Sequence, residues 1–313
     1  MQGARSSGSE AYFLCAAANQ GEWNAADGRH AAPGLAKRGP PLPVRGSNPD
    51  PVPPARGSPV KKTGRKTKRD WAVGCAGFGV KLEDYFEKFG AVEVQETFLE
   101  PPARRTLERW RRMAPESFAF VVRAWQLLTH PEDAAGYRRM RCLPEWAEKA
   151  RVGFFRPGDQ LRRAWESVRE TCEVLAARAV VFDTPASFTP GPEHRENLVR
   201  FFSDLPRGRE HLVWQPEGMW EEEEVASLCK ELELIPAMDP LVSSLSPGKV
   251  FYFRFPTRTR VRGRYTEDDF FRIVQALEAK KRAGKEGFFI WSAPDGWLDA
   301  RRFQSWLATG QSS

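Results

Sequence analysis

The chain has 313 residues, of which 41% are hydrophobic and 12% aromatic, enough for one large globular domain with a sizeable core. Its formal charge of +7 suggests nucleic-acid binding until it is located: residues 1–70 hold 12 Lys/Arg against 5 Asp/Glu, leaving 36 of each sign in the remainder. The body is therefore neutral, and its composition argues against a broad phosphate-binding surface. The five cysteines form no CxxC pair and no Cys/His cluster at metal-ligand spacing, a usage that suits a reducing cytoplasm. No apolar run approaches the ~18 residues of a membrane span, and Ala11–Ala18 lacks the basic flank of a signal peptide.

Residues 1–70 are rich in Pro, Gly, Ser and Arg, a mixture that buries too little apolar surface to offset its ordering entropy. This segment is expected to be a disordered basic extension. It ends in the run 61–69 (KKTGRKTKR), an arm through which nucleic acid would be reached if it is reached at all, although no aromatic residue is interleaved for base stacking.

From Trp71 the pattern becomes regular. The expected strands are Trp71–Cys75, Ala91–Gln95, Phe118–Ala124, Ala179–Asp183, His211–Gln215, Leu234–Met238, Val250–Phe255 and Gly287–Trp291. Between them fall helical runs at Leu82–Phe89, Arg104–Met113, Gln160–Ala177, Glu193–Leu205, Glu221–Leu232 and Glu267–Lys281, with Ala300–Leu307 after the last strand. Thr266 followed by Glu267, Asp268 and Asp269 reads as an N-cap with acids at the positive end of the helix dipole. The sixth unit is irregular, because Asp239–Pro247 is too short and Pro-bounded for a normal helix. Alternating strands and helices over this length predict a (β/α)8 TIM barrel spanning 71–313. The competitor, an open doubly wound sheet, lacks its dinucleotide turn, since Gly74-Cys75-Ala76-Gly77-Phe78-Gly79 does not have GxGxxG spacing.

Strand parity then selects a site. If the apolar alternates pack under helices, Val92 and Val94 lie outside and Glu93 and Gln95 face the lumen. By the same rule Phe118, Phe120 and Val122 point outward with Val121 and Arg123 inward. Val180 and Phe182 lie outside, with Val181 and Asp183 inside, and Phe251 and Phe253 lie outside, with Tyr252 and Arg254 inside. Polar side chains thus gather at the C-terminal ends of strands, where barrel enzymes build their sites. Glu93 reads as an acid/base or as half of a structural ion pair with Arg123. Arg123 and Arg254 can grip an anion or serve as counter-charges. His130, beyond the third strand, is a candidate base or a loop strut, and Asp183 and Asp239 end strands as carboxylates or turn-formers. A metal held by Glu93, His130, Asp183 and Asp239 has no spacing motif behind it, and no cofactor can be named. Trp125, Trp220 and Trp291, near strand ends, are candidates either for stacking on a ligand or for packing.

These residues resemble the YecE-like family, domain of unknown function 72. The opening Gly74-Cys75-Ala76-Gly77-Phe78 is similar to its glycine motif, and Glu93-Val94-Gln95-Glu96-Thr97-Phe98 to its Glu-x-Asn-x-Thr-Phe signature. Trp110, Pro115, Phe118, Phe120 and the Thr129-His130 pair occupy further family positions, with Arg123 where a Lys is usual. The resemblance covers about 71–307 and implies a TIM barrel. Departures gather toward the C-terminus. Gln215 and Glu217 stand where the family tends to show Glu and Arg, Arg254-Phe255-Pro256-Thr257 replaces Arg-x-His-Gly, and Ile290-Trp291-Ser292-Ala293 replaces Phe-Asn-Asn. The expectation is a barrel with a pocket for a small anionic or carbohydrate-like ligand. Its chemistry would be hydrolysis or isomerisation, with Glu93, His130 and Asp183 as acid/base groups and Gln95, Arg123, Gln215, Asp239, Tyr252 and Arg254 as ligand contacts. The alternative is a non-catalytic binder or scaffold.

Overall fold

The structure is a computed structural model that describes residues 69–148, 151–256, 263–278 and 284–309. Nearly all of the expected basic extension, and the end of the helix expected to reach Lys281, lie outside the described residues. Eight parallel strands close on themselves in chain order. They are β1 (Asp70–Ala76), β2 (Ala91–Val94), β3 (Ala119–Arg123), β4 (Ala179–Thr184), β5 (His211–Pro216), β6 (Ile235–Met238), β7 (Val250–Phe255) and β8 (Glu286–Trp291). The ring is sealed by β1 on β8, in register from Asp70 opposite Glu286 to Cys75 opposite Trp291.

The helices are α1 (Leu82–Lys88), α2 (Glu96–Leu99), α3 (Arg104–Met113), α4 (Gln126–Thr129), α5 (Asp159–Leu175), α6 (Pro192–Asp204), α7 (Glu222–Glu231), α8 (Glu267–Glu278) and α9 (Gly296–Thr309). The barrel expectation therefore holds. So does the irregular sixth unit, where no helix lies between β6 and β7. Local chemistry sets the boundaries where it can. Thr266 and Asp269 form a reciprocal cap at the start of α8, with the Asp269 N–H donating to Thr266 Oγ1 and the Thr266 N–H to Asp269 Oδ2. The four-residue α2 and α4 were not expected, because one helical turn leaves no periodicity to detect.

Parity produces two separate apolar layers. Val92, Val94, Phe118, Phe120, Val122, Val180, Phe182, Phe251 and Phe253 lie in the outer core between wall and helices. Ala72, Ala91, Ala119, Val121, Ala179, Val181, Val213, Tyr252, Phe288 and Ile290 fill the lumen. The filling is lopsided: small side chains on one half of the wall make room for Tyr252 and Phe288 from the other. The lumen is thus a packed plug, with its polar side chains left for the two ends. The opposite end is tied by Arg178, which donates to Asp70 and Glu286, while His211 Nε2 lies 3.2 Å from Glu286 Oε1.

Candidate functional site

At the C-terminal mouth the strands deliver one connected set of polar side chains. Glu93, wholly buried at the heart of β2, has both oxygens engaged. Oε1 accepts from Gln95 Nε2 (2.7 Å) and Arg254 Nη2 (2.9 Å), and Oε2 from the Tyr252 hydroxyl (2.6 Å) and Arg254 Nε (3.1 Å). Burial pushes the Glu93 carboxyl pKa up, but the Arg254 and Arg123 charges and the Tyr252 and Gln95 donors outweigh it and hold the group below the usual carboxylate range. Burial, followed by the Glu93 charge, drives the Tyr252 hydroxyl well above its ordinary value, so the proton in this contact stays on the tyrosine.

The set continues on both sides. Arg254 Nη1 donates to Gln215 Oε1 (2.8 Å), and Arg123 Nη1 donates to Gln95 Oε1 (2.9 Å). Arg123 Nη2 is ion-paired with Asp183 Oδ2. Register explains the reach: Arg123 lies opposite Val181, so its long side chain climbs one lumen step to meet Asp183, itself level with Gln215. Two further residues hold Arg123 in place. Thr97 Oγ1 donates to the Arg123 carbonyl (2.7 Å), and the guanidinium lies over the Phe98 ring with Cζ 3.9 Å from its centroid. Asp183 is 3% exposed; its Oδ1 is buried and accepts no hydrogen bond, and the Arg123 Nε–H, also buried, donates none.

His130 caps the end of α4. Its Nδ1 lies 2.8 Å from Thr129 Oγ1, its ring meets the Phe98 face edge-on, and Tyr137 donates to its carbonyl. Burial lowers its pKa to about 4, the nearby Asp183 charge opposing and the Arg123 charge reinforcing the effect, so the imidazole is neutral at pH 7. Glu217, past β5, has exposed surface but sits in a crowded setting. Desolvation, and then repulsion from Asp183, raise its carboxyl pKa. Asp239 follows β6 directly and accepts from the Leu241 N–H (3.0 Å), so at least one of its oxygens shapes its own turn.

Sequence reasoning brought Glu93, Gln95, Arg123, Asp183, Gln215, Tyr252 and Arg254 to the mouth, and the structure joins all seven through the contacts above. It places His130 beside that set and Asp239 in a rim turn. Thr97, Phe98 and Glu217 were missed as parts of the site. The signal for Thr97 and Phe98 was their position in the motif two and three residues beyond Gln95. The three tryptophans are packing residues. Trp125 donates to the Leu99 carbonyl, Trp220 donates to the Phe188 carbonyl and stacks on the Phe188 ring, and Trp291 is wholly buried against Phe255. Burial pushes the Cys75 thiol up to about 12, which leaves it protonated and inert. Among the described residues no group of three or more His, Cys, Asp or Glu side chains is arranged to hold a metal ion, and no helix is long and apolar enough to cross a membrane.

Fold and mouth together define a (β/α)8 barrel with a self-paired acid–guanidinium site. Residues 68–313 match the family described as protein of unknown function DUF72, and the chain belongs to that family. Two similar solved structures are DUF72 family proteins. That of Enterococcus faecalis V583 is 17% identical with a TM-score of 0.54, the match covering 78% of this chain and 100% of that one. That of Thermotoga maritima MSB8 is 16% identical with a TM-score of 0.55, covering 77% and 100%. At that identity the likeness speaks for the fold. None of the curated proteins matches the chain.

Proposed function

We propose that this DUF72 barrel binds a small ligand, anionic or carbohydrate-like, at the C-terminal mouth. Acid–base chemistry of a hydrolase or isomerase would be carried by the carboxylates and His130. The observation that carries the reading is the convergence of seven polar side chains, six from β2, β3, β4, β5 and β7 and Gln95 from just past β2, on one end of an otherwise apolar lumen. Within it Glu93, with four donors, anchors Arg254, Tyr252 and Gln95 in fixed orientations. Asp183, with one oxygen uncommitted, and the neutral His130 beside it are the groups placed to exchange protons with a ligand. Gln95, Arg123, Gln215, Tyr252 and Arg254 form the contact surface and Asp239 its rim.

The alternative reading, a non-catalytic binder, is favoured by one feature, since both strand-borne guanidinium groups, Arg123 and Arg254, already have a carboxylate partner. The test is a thermal-shift screen of sugars, phosphorylated sugars, nucleotides and divalent metals, followed by Asp183→Asn and His130→Gln. A ligand that raises the melting temperature of the parent, and fails to do so with either folded variant, is the expected result. If both variants keep the shift in full, the ligand site lies elsewhere. If a bound ligand is never turned over, the binder reading stands.

A further inference from the structure

We infer that the mouth selects an uncharged polyhydroxy ligand, rich in hydroxyl donors, and discriminates against anions. This rests on the reading of the mouth as a ligand site and narrows it. Both guanidinium forks are turned toward the protein's own acceptors: Arg254 spends Nε and Nη2 on Glu93 and Nη1 on Gln215, and Arg123 spends Nη1 on Gln95 and Nη2 on Asp183. An incoming phosphate or carboxylate would have to pull one fork away. That would leave Glu93, wholly buried, or Asp183, nearly so, as an uncompensated charge in the lumen.

What the mouth leaves unmet is one buried acceptor, Asp183 Oδ1, and one buried donor, Arg123 Nε, and a hydroxyl can answer both. Asp183 Oδ1 is buried at the lumen-facing end of β4 without a donor, and an unmet buried acceptor is costly until a donor reaches it. Glu217 adds a third carboxylate close enough to Asp183 for the two charges to repel, with the Arg254 and Arg123 charges opposing that repulsion. A sugar or polyol hydroxyl answers Asp183 Oδ1 with a donor and brings no charge that must be balanced. Glu217 tips the balance at the rim toward acceptors.

The experiment uses the full chain and compares glucose, ribose and glycerol with glucose 6-phosphate and inorganic phosphate, by saturation-transfer NMR and calorimetric titration. The expected result is that at least one neutral compound binds ten-fold or more tightly than either phosphate. Asp183→Asn should weaken that binding at least ten-fold. Glu217→Arg, a surface change that leaves the buried pairs intact, should tighten the phosphates at least ten-fold. The inference is overturned if a phosphate binds the parent as well as or better than its neutral counterpart and Arg123→Lys removes that binding; the ligand reading of the mouth would then survive. If neither class binds, the ligand reading fails and this inference with it.

Discussion

His130 shows how burial sets a protonation state. Its folded pKa of about 4 lies below the ordinary 6.5, so the native state refuses a proton that the unfolded chain accepts. The stability this represents is complete above pH 6.5 and is lost as the pH falls through the window down to about 4, a loss on the order of 3 kcal/mol. His130→Gln should flatten this part of the profile, which urea unfolding at pH 7, 5.5 and 4.5 would reveal; an unchanged slope would mean that the ring is solvated. At this scale parity alone was enough to bring Glu93, Arg123 and Arg254 to one end of the lumen. It was not enough to say which guanidinium would take which carboxylate, since that depends on stagger between strands and on rotamers. Arg123 goes to Asp183 and leaves Glu93 to Arg254 and Tyr252, a partition that no spacing along the chain encodes.

At the scale of elements, the wall tolerates no side chain at Gly74. A Cβ there would sit 1.9 Å from the Ala91 carbonyl oxygen, a backbone atom that cannot rotate away. Gly74→Ala should therefore force β1 and β2 apart and cost about 3 kcal/mol or more. At Gly191, where nothing lies within 4 Å, the same change should stay within about 0.5 kcal/mol. Chemical denaturation of the two variants compares them, and equal midpoints would show that the wall yields. All eight strands were legible because each pairs an apolar outer face with a lumen face, which leaves a dense hydrophobic run. Elements without such a face were not. The segment from Gln126 to Pro157, with its single-turn helix α4 and the 3-10 turn Ala135–Arg139, shows no period and is held by individual contacts such as that from Tyr137 to the His130 carbonyl.

For the molecule as a whole, family membership and the barrel begin together: the match starts at residue 68 and β1 at Asp70, with Arg69 paired to Glu278 on α8. A chain starting at Lys68 is expected to unfold cooperatively within a few degrees of the full-length protein, read by calorimetry, and to lose any salt-sensitive association with DNA or RNA that the full chain displays. A collapse of the melting transition would mean that residues 1–67 contribute to the fold. Division of labour between the two ends of the cylinder follows from their chemistry. Arg178, Asp70, Glu286 and His211 fasten one end, while the other collects the acids and guanidinium groups on which ligand binding is proposed to depend.

The cylinder also has a seam. Between β6 and β7 the chain crosses without a helix, and only one of the four residues of β6 is buried. Every other neighbouring pair of staves is clasped by an outer helix, so this crossing is where the chain can be cut and rejoined with least disturbance to its packing. Fresh termini or a grafted module placed within residues 240–247 would spare the other helical clasps at the cost of the bonds that Ser243 and Ser244 donate to Glu222 at the start of α7.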